Sequence, residues 1–433
     1  MSKDQRNSSH ASSLTSQDDA SEISVALLTG GADRPYAFGL ATALIAKGIP
    51  FDLIANDELE CPELLGQRGV NFLNLRGDQR PDASFTRKAL RVAAYYARLL
   101  RYATTAKPKI FHILWNNRFE LFDRTLLMLY YRLLGKKIVL TLHNINAGTR
   151  DANDTSLNRF TLQAQYRLSD HMFVHTEKMK AELLKEFSVD EDKVSVIPFG
   201  INNSVPNTSL TCGEARRRLG IEKAEKTILF YGHIAPYKGL EYLVSAFSKV
   251  AATDTSYRLI IAGRPKNNEK YWAEILETVR QHVPEGQVVL RPEFIPDEET
   301  EVYFKAADVL VLPYTHIYQS GVLFLAYSFG LPVLASDVGS LREDVVEGET
   351  GFVFMPADAD GLAKTIDRYF SGRLYQNLAA HRPQIAAFAH ERNSWSAVAD
   401  ITVARYSELL QLRHDKQAIS SSDPTISLEM KTP

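Results

Sequence analysis

Three glycine-bearing loops in this chain combine residue types that suit a phosphorylated ligand. The first is Gly232-His233-Ile234-Ala235-Pro236-Tyr237-Lys238-Gly239, set between a strand-like and a helix-like segment. Gly232 frees the strand end there, and Lys238 stands where the next helix starts, placed to pair with a phosphate. The second is Gln319-Ser320-Gly321-Val322, a turn that presents free backbone N–H groups at a helix start and so suits a diphosphate. The third is Thr29-Gly30-Gly31-Ala32-Asp33-Arg34-Pro35, where Gly30 and Gly31 let a backbone approach a ligand. Its spacing is not G-x-G-x-x-G and no acid stands at the ribose position, so it reads as a cleft-lining loop or a tight turn, not a dinucleotide site.

Other candidates divide between chemistry and structure. Asp358-Ala359-Asp360 has the form of a metal-holding acid pair, yet it opens a helix, where Asp is an ordinary cap. With no other metal-ligand spacing, neither a metal nor a cofactor is expected, only a substrate. Trp115, Asn116, Asn117 and Arg118 follow a strand, where a ligand could stack on the indole and bond the amides; Trp115 could equally be core. Phe85–Lys107 carries six basic residues among Leu90, Tyr95, Tyr96, Leu99 and Leu100. It reads either as a basic amphipathic helix on anionic lipid or as a sheet-covering helix with a solvated face.

The elements that must position these loops alternate. Strand-like runs ISVALLT, FDLIAN, VNFLNL, KIFHILW, KIVLTLH, HMFVHT and KVSVIP are separated by helix-like segments that include Tyr36–Lys47, Arg118–Leu134 and Glu177–Phe187. After a Gly/Asn/Pro stretch at 199–206 the alternation resumes with KTILFYG, RLIIAG, QVVLRP, DVLVLP, PVLAS and GFVFM. Such alternation predicts parallel sheets covered on both faces, with ligands at the C-terminal strand ends and a cleft between two domains.

Composition bounds the rest. Length 433 suggests two or three domains, and 45% hydrophobic with 24% charged residues is that of a globular chain. A formal charge of −2 gives no global attraction for nucleic acid. Cys61 and Cys212 provide no disulfide framework and fit a reducing compartment. Residues 1–20 and the tail from 418 to 433 are polar and read as disordered, and no apolar run reaches the length of a spanning helix.

The segments GHIAPYKGLEYLVSAF, LIIAG, IPDEETEVYFKAADVLVLPY and GLPVLASDVGSLREDVVEGETGFVF resemble, in order and spacing, the donor domain of family-4 glycosyltransferases. TLHN, VHTEKMKAEL and VSVIPFGIN resemble the first domain of that family. The resemblance implies the GT-B fold, an α/β architecture of two Rossmann-like doubly wound parallel-sheet domains facing across a cleft. Residues 21–203 would form the acceptor-side domain and 207–385 the nucleotide-sugar donor domain, with 386–415 a helical segment returning to the first. It implies retaining, metal-independent transfer of a hexose-type sugar from a nucleotide diphosphate to a glycan or lipid-linked acceptor, in surface polysaccharide synthesis. The expected place is the cytoplasm, with the membrane's inner face as a surface reached through 85–107.

On matching positions Lys238 and the amides of Ser320–Val322 would hold the diphosphate, and His143 would face the transferred sugar. His233 replaces the family's usual arginine, so this contact loses its permanent charge. Two glutamates that usually contact sugar and ribose are replaced by Ile317 and Leu325, which leaves Tyr318, Gln319 or Tyr327 as alternatives. That loss also opens a second reading, a catalytically silent nucleotide-sugar-binding or scaffold protein.

Overall fold

The computed structural model describes residues 23–30, 34–77, 84–117, 119–150, 154–202, 204–222, 225–265 and 268–411. Gly31, Arg118, the leader at 1–20 and the tail at 418–433 lie outside them.

The first domain is a sheet of seven parallel strands, in the order β3-β2-β1-β4-β5-β6-β7. These are β1 Val25–Leu28, β2 Phe51–Ala55, β3 Val70–Asn74, β4 Ile110–Ile113, β5 Lys137–Thr141, β6 His171–Val174 and β7 Val194–Val196. Every residue of β1, β4 and β6 is buried, whereas edge strand β3 is not, which is why the central runs are continuously apolar. The helices are α1 Arg34–Ala46, α2 Phe85–Thr105, α3 Glu120–Arg124, α4 Leu126–Leu133, α5 Ala147–Arg150, α6 Ser156–Leu168 and α7 Glu177–Phe187. One face of the sheet packs on α2, α4, α6 and α7 through Leu99, Tyr131, Tyr166 and Leu183. The other packs on α1 through Leu40 and Leu44.

The helix expected over 118–134 is two helices. Thr125, at φ −122° and ψ −85°, breaks it, and its hydroxyl turns back to the Leu121 carbonyl. A β-branched residue bonding the preceding turn ends α3 and lets α4 restart at a new angle.

The second domain is a six-stranded parallel sheet ordered β10-β9-β8-β11-β12-β13. Its strands are β8 Lys226–Tyr231, β9 Tyr257–Ala262, β10 Val288–Arg291, β11 Val309–Leu312, β12 Val333–Ser336 and β13 Gly351–Phe354. Its helices are α8 Cys212–Leu219, α9 Leu240–Thr253, α10 Glu269–His282, α11 Asp297–Ala306, α12 Gly321–Ser328, α13 Leu341–Asp344, α14 Ala359–Ser371, α15 Arg373–Gln376 and α16 Leu378–Arg392. The last helix, α17 Trp395–Leu409, leaves this domain and packs on α1 of the first. Trp395 anchors the crossing: its indole N–H donates to the Ile201 carbonyl at 2.6 Å. A Cβ at Gly39 or at Gly200 would lie 2.0 or 2.4 Å from the same ring, so both glycines make room for it.

In each sheet the strand order reverses once, between β1 and β4 and between β8 and β11. Ligands of open parallel sheets bind at such switch points, beyond the C-terminal strand ends. The loops after β1, β4, β8 and β11 are those that carry Gly30, Trp115, Lys238 and Ser320.

Candidate active site

Lys238 ends a 3-10 turn, Pro236–Lys238, that follows β8. Gly239 has φ 64°, and a Cβ there would sit 1.9 Å from the Pro313 carbonyl oxygen, so this glycine lets the loops after β8 and β11 touch. Lys238 is buried; its Nζ donates to the Tyr314 hydroxyl at 2.6 Å and lies 4.0 Å from that ring's centroid. Ser320 Oγ donates to the same hydroxyl at 3.4 Å. Burial pushes the Tyr314 phenol well above its usual range, so it remains a neutral hydroxyl. Helix α12 then opens at Gly321, and Ser320 makes no side-chain cap on its first turn. Cation and uncapped amides meet at a cavity of about 330 Å³ that both domains line. Pro35 and Tyr36 come from the first domain, Phe199 and Gly200 from the linker, and Lys238 and 319–322 from the second.

An adjoining cavity of about 250 Å³ shares Lys238 and Val322 and extends along Gly232, His233, Tyr237, Arg264 and Phe294. Phe294 is exposed, and the Arg264 guanidinium carbon stands 5.7 Å from its centroid, a flat surface fit for an aromatic base. Arg264 and Phe294 escaped sequence reasoning; their only signal was position one residue after RLIIAG and two after VVLRP. Ile317 and Leu325 form an apolar wall of the larger cavity. Gln319 lines it too, with its Oε1 buried and unpartnered. Tyr327 is not available to a sugar: its hydroxyl is committed to Thr350 Oγ1 at 2.8 Å and the Asp344 carbonyl at 3.0 Å. Tyr318 packs against the core of the first domain.

On the first-domain side, Gly30 has φ 62° and a Cβ there would meet the Trp115 carbonyl oxygen at 2.2 Å. Its glycine therefore serves the approach of the β4 loop. His143 covers one face of Trp115, with ring centroids 3.6 Å apart and planes 9° from parallel, which leaves only the other face for the expected stacking of an acceptor sugar. Asn116 and Gln165 exchange amide hydrogen bonds of 3.2 and 2.7 Å. Asn117 accepts from Tyr95 and Arg76 and donates to Asp123, so both asparagine side chains are spent internally. A separate polar cavity of about 290 Å³ opens past the ends of β4 and β5, lined by Glu120, Arg124, Gly148, Asn158 and Thr161. Arg124 is buried there and donates to Asn158 Oδ1 at 2.8 Å.

His143 Nδ1 lies 3.1 Å from His175 Nε2. Burial holds the His143 imidazole well below its usual range and lowers His175 to about 4. Across the cleft, Arg34 pairs with Asp297 at 2.8 Å, Lys178 donates to the Gly339 carbonyl at 3.3 Å, and Phe199 stacks on Phe324.

Helix α2 buries only Tyr95, Leu99 and Ala103 of its 21 residues. Nine of the twelve exposed large apolar side chains among the described residues fall between Phe85 and Phe160, including Leu126, Leu129 and Leu133 along one face of α4. No helix among the described residues is long and apolar enough to cross a membrane. Asp358 caps α14 by accepting from the Gly361 amide at 2.8 Å, and Asp360 pairs with Lys249, so the acid pair is structural.

Residues 213–385 match the family model for glycosyl transferases group 1, and residues 29–205 match that for Glycosyltransferase Family 4. The chain is 28% identical over 289 residues to a D-inositol 3-phosphate glycosyltransferase of Corynebacterium efficiens, covering 63% of this chain and 65% of that protein. It is 28% identical over 240 residues to an uncharacterized glycosyltransferase of Methanocaldococcus jannaschii, covering 55% and 60%. The match thus spans less than two thirds of either relative. In fold it is similar to sucrose-phosphate synthase from Thermosynechococcus elongatus (TM-score 0.71, 20% identity, 90% of this chain and 100% of that one). It is likewise similar to Anabaena HepE in complex with UDP and glucose (TM-score 0.68, 17% identity, 89% and 100%).

Proposed function

The chain belongs to the GT-B glycosyltransferases, with a family-4 first domain and a group-1 second domain, and from that premise we propose that it transfers a hexose-type sugar from a nucleotide diphosphate to a glycan or lipid-linked acceptor. One observation carries the reading: Lys238 and the uncapped amides of α12 converge at the switch point of the second sheet, on a cavity that the first domain closes. The diphosphate sits against Lys238, His233 and the amides of Gly321 and Val322, and its base lies over Phe294 beside Arg264. Charge that develops on the departing β-phosphate oxygen is met by that cation and by the positive end of the helix.

Transfer proceeds with retention and without a metal. The bond from the anomeric carbon to the β-phosphate oxygen breaks, the acceptor oxygen bonds to the same face, and its proton passes to the departing diphosphate. Acceptor hydroxyls enter from the polar cavity at Arg124 and Asn158, since Asn116 and Asn117 are already bonded. A lipid-linked acceptor fits the charge distribution. Residues 85–137 hold twelve Lys and Arg against two carboxylates, Glu120 and Asp123, in a chain of net charge −2. This basic region adjoins the exposed leucines of α4, a surface suited to the anionic inner face of a membrane and to surface polysaccharide synthesis.

A thermal-shift screen against UDP, GDP, dTDP and ADP and their sugars tests the reading. A ligand at a hundred times its dissociation constant adds about 2.7 kcal/mol of stability. We expect one nucleotide class to stabilise the wild type and not Lys238→Ala. The apolar wall of Ile317 and Leu325 favours a second reading, a silent nucleotide-sugar-binding protein. Binding without turnover on any donor, with membrane lipid extract present, would select it.

A further inference from the structure

We infer that His175 is a positioning residue that fixes the tautomer of His143, so that His143 offers a bare, hydrogen-bond-accepting Nε2 at the cleft. The two residues are brought together by strand register. Thr141 of β5 pairs with Phe173 of β6 in parallel, and His143 and His175 each stand two residues beyond that pair. Both therefore emerge side by side from the C-terminal edge of the sheet.

The protons then follow from the partners. His175 Nδ1 lies 3.4 Å from the Ile197 carbonyl oxygen, with the Pro198 carbonyl also beside the ring. A carbonyl can only accept, so Nδ1 carries the hydrogen. Buried and neutral, His175 keeps a lone pair on Nε2, and the atom 3.1 Å from it is His143 Nδ1. That nitrogen must donate, which leaves His143 Nε2 unprotonated. Nε2 is buried and makes no well-formed hydrogen bond among the described residues, although the Leu114 carbonyl also lies beside the ring. An unsatisfied buried acceptor is uncommon and calls for a ligand donor.

The ring cannot turn to escape this assignment. Trp115 covers its face at 3.6 Å, and Tyr36 stands edge-on at 4.6 Å. Tyr36 and Phe199, which also contacts His143, line the cavity between the domains. His143 itself lies behind those two rings, and the group assigned to Nε2 is a hydroxyl of the sugar or acceptor, donating its hydrogen. The other polar neighbour of His143 is the Leu114 carbonyl, which would favour the opposite tautomer. Adopting it would satisfy that one carbonyl and turn a bare His175 Nδ1 toward two, those of Ile197 and Pro198, lone pair against lone pair. His112, the next titratable group, is engaged by Tyr406 and Thr141 at 2.6 and 2.8 Å.

The purpose of the relay rests on the transfer reading, whereas its geometry does not, and the test separates them. Long-range proton–nitrogen spectra of the full ¹⁵N-labelled chain at neutral pH report each imidazole nitrogen directly. We expect His143 to show a protonated Nδ1 and a bare Nε2 in the wild type. His175→Gln, whose amide oxygen can accept, should keep that state; His175→Phe should lose it. Turnover should fall about tenfold in His175→Phe and recover in His175→Gln, with the donor KM little changed. A protonated Nε2 in the wild type, or a tautomer unchanged in His175→Phe, overturns the inference. The expected spectra with no transfer from any donor would leave the relay standing and reject the transfer reading instead.

Discussion

The Lys238 ammonium group donates to the Tyr314 hydroxyl at 2.6 Å, and this bond, together with the Thr315 amide donating to the Tyr237 carbonyl at 2.9 Å, ties the loop after β8 to the loop after β11. The phenol holds the cation at the mouth of α12 with its charge toward the cleft. Tyr314→Phe keeps the ring beneath Lys238 and removes the acceptor, so stability should drop by about 1–3 kcal/mol. Nucleotide affinity should fall several-fold as the cation loses its anchor. Lys238→Ala removes a charge-assisted bond worth roughly 1.5–3 kcal/mol and should weaken binding by about 10–150-fold. Calorimetric titration with the nucleotide found in the thermal screen checks both. Wild-type affinity in Lys238→Ala would move the anion site elsewhere.

Arg34 and Asp297 form the ion pair that spans the cleft, with 38% and 32% of their side chains exposed. A pair this wet contributes about 0–1 kcal/mol, too little to hold the fold and enough to bias an equilibrium between open and closed domains. Asp297→Asn should leave the melting temperature nearly unchanged and raise the radius of gyration in small-angle scattering. High salt should do the same to the wild type. If scattering is unchanged in both cases, the Trp395–Ile201 crossing sets the domain angle unaided.

The strands were legible because β1, β4, β6, β11 and β12 are buried throughout, which forces continuous apolar runs between turn residues. Lys238 and Ser320 were legible because switch-point loops of parallel sheets need glycines and helix starts. Long-range partners were not. Nothing local to Trp115 signals that His143 will cover it, nor that Asn117 will be claimed by Tyr95 on α2. Those contacts depend on which helix crosses which strand end. The break at Thr125 was equally hidden, since the apolar pattern runs straight through it.

Acid should unfold the first domain early. Burial lowers His112 to about 3, with a further push from the neighbouring His171, while His171 and His175 sit at about 4, chiefly through burial. Each folded-state value lies below the unfolded value of about 6.5, so the unfolded chain binds more protons between pH 6.5 and 4. Stability is therefore full above about pH 7 and falls as pH drops through that window. Each fully buried imidazole accounts for on the order of 3 kcal/mol at the acid limit. Calorimetry from pH 8 to pH 5 should show a falling transition that His112→Gln flattens. A melting temperature constant over that range would mean these rings are not buried neutral.

The exposed face of α4 gives the last prediction. Leu126, Leu129 and Leu133 are 62%, 45% and 78% exposed and share one side of the helix. A triple change to serine removes little native packing, so circular dichroism and melting temperature should be nearly unchanged. On vesicles rich in phosphatidylglycerol the same change should weaken binding on the order of a hundredfold, three leucines each losing about 1 kcal/mol of transfer. Half-molar salt should release the wild type as well, because Arg87, Arg98 and Arg101 of α2 would meet the anionic headgroups. Transfer to a short soluble acceptor should survive the substitution, which separates docking from chemistry. Equal vesicle binding by variant and wild type would assign these leucines to a protein partner and leave the acceptor to arrive from solution.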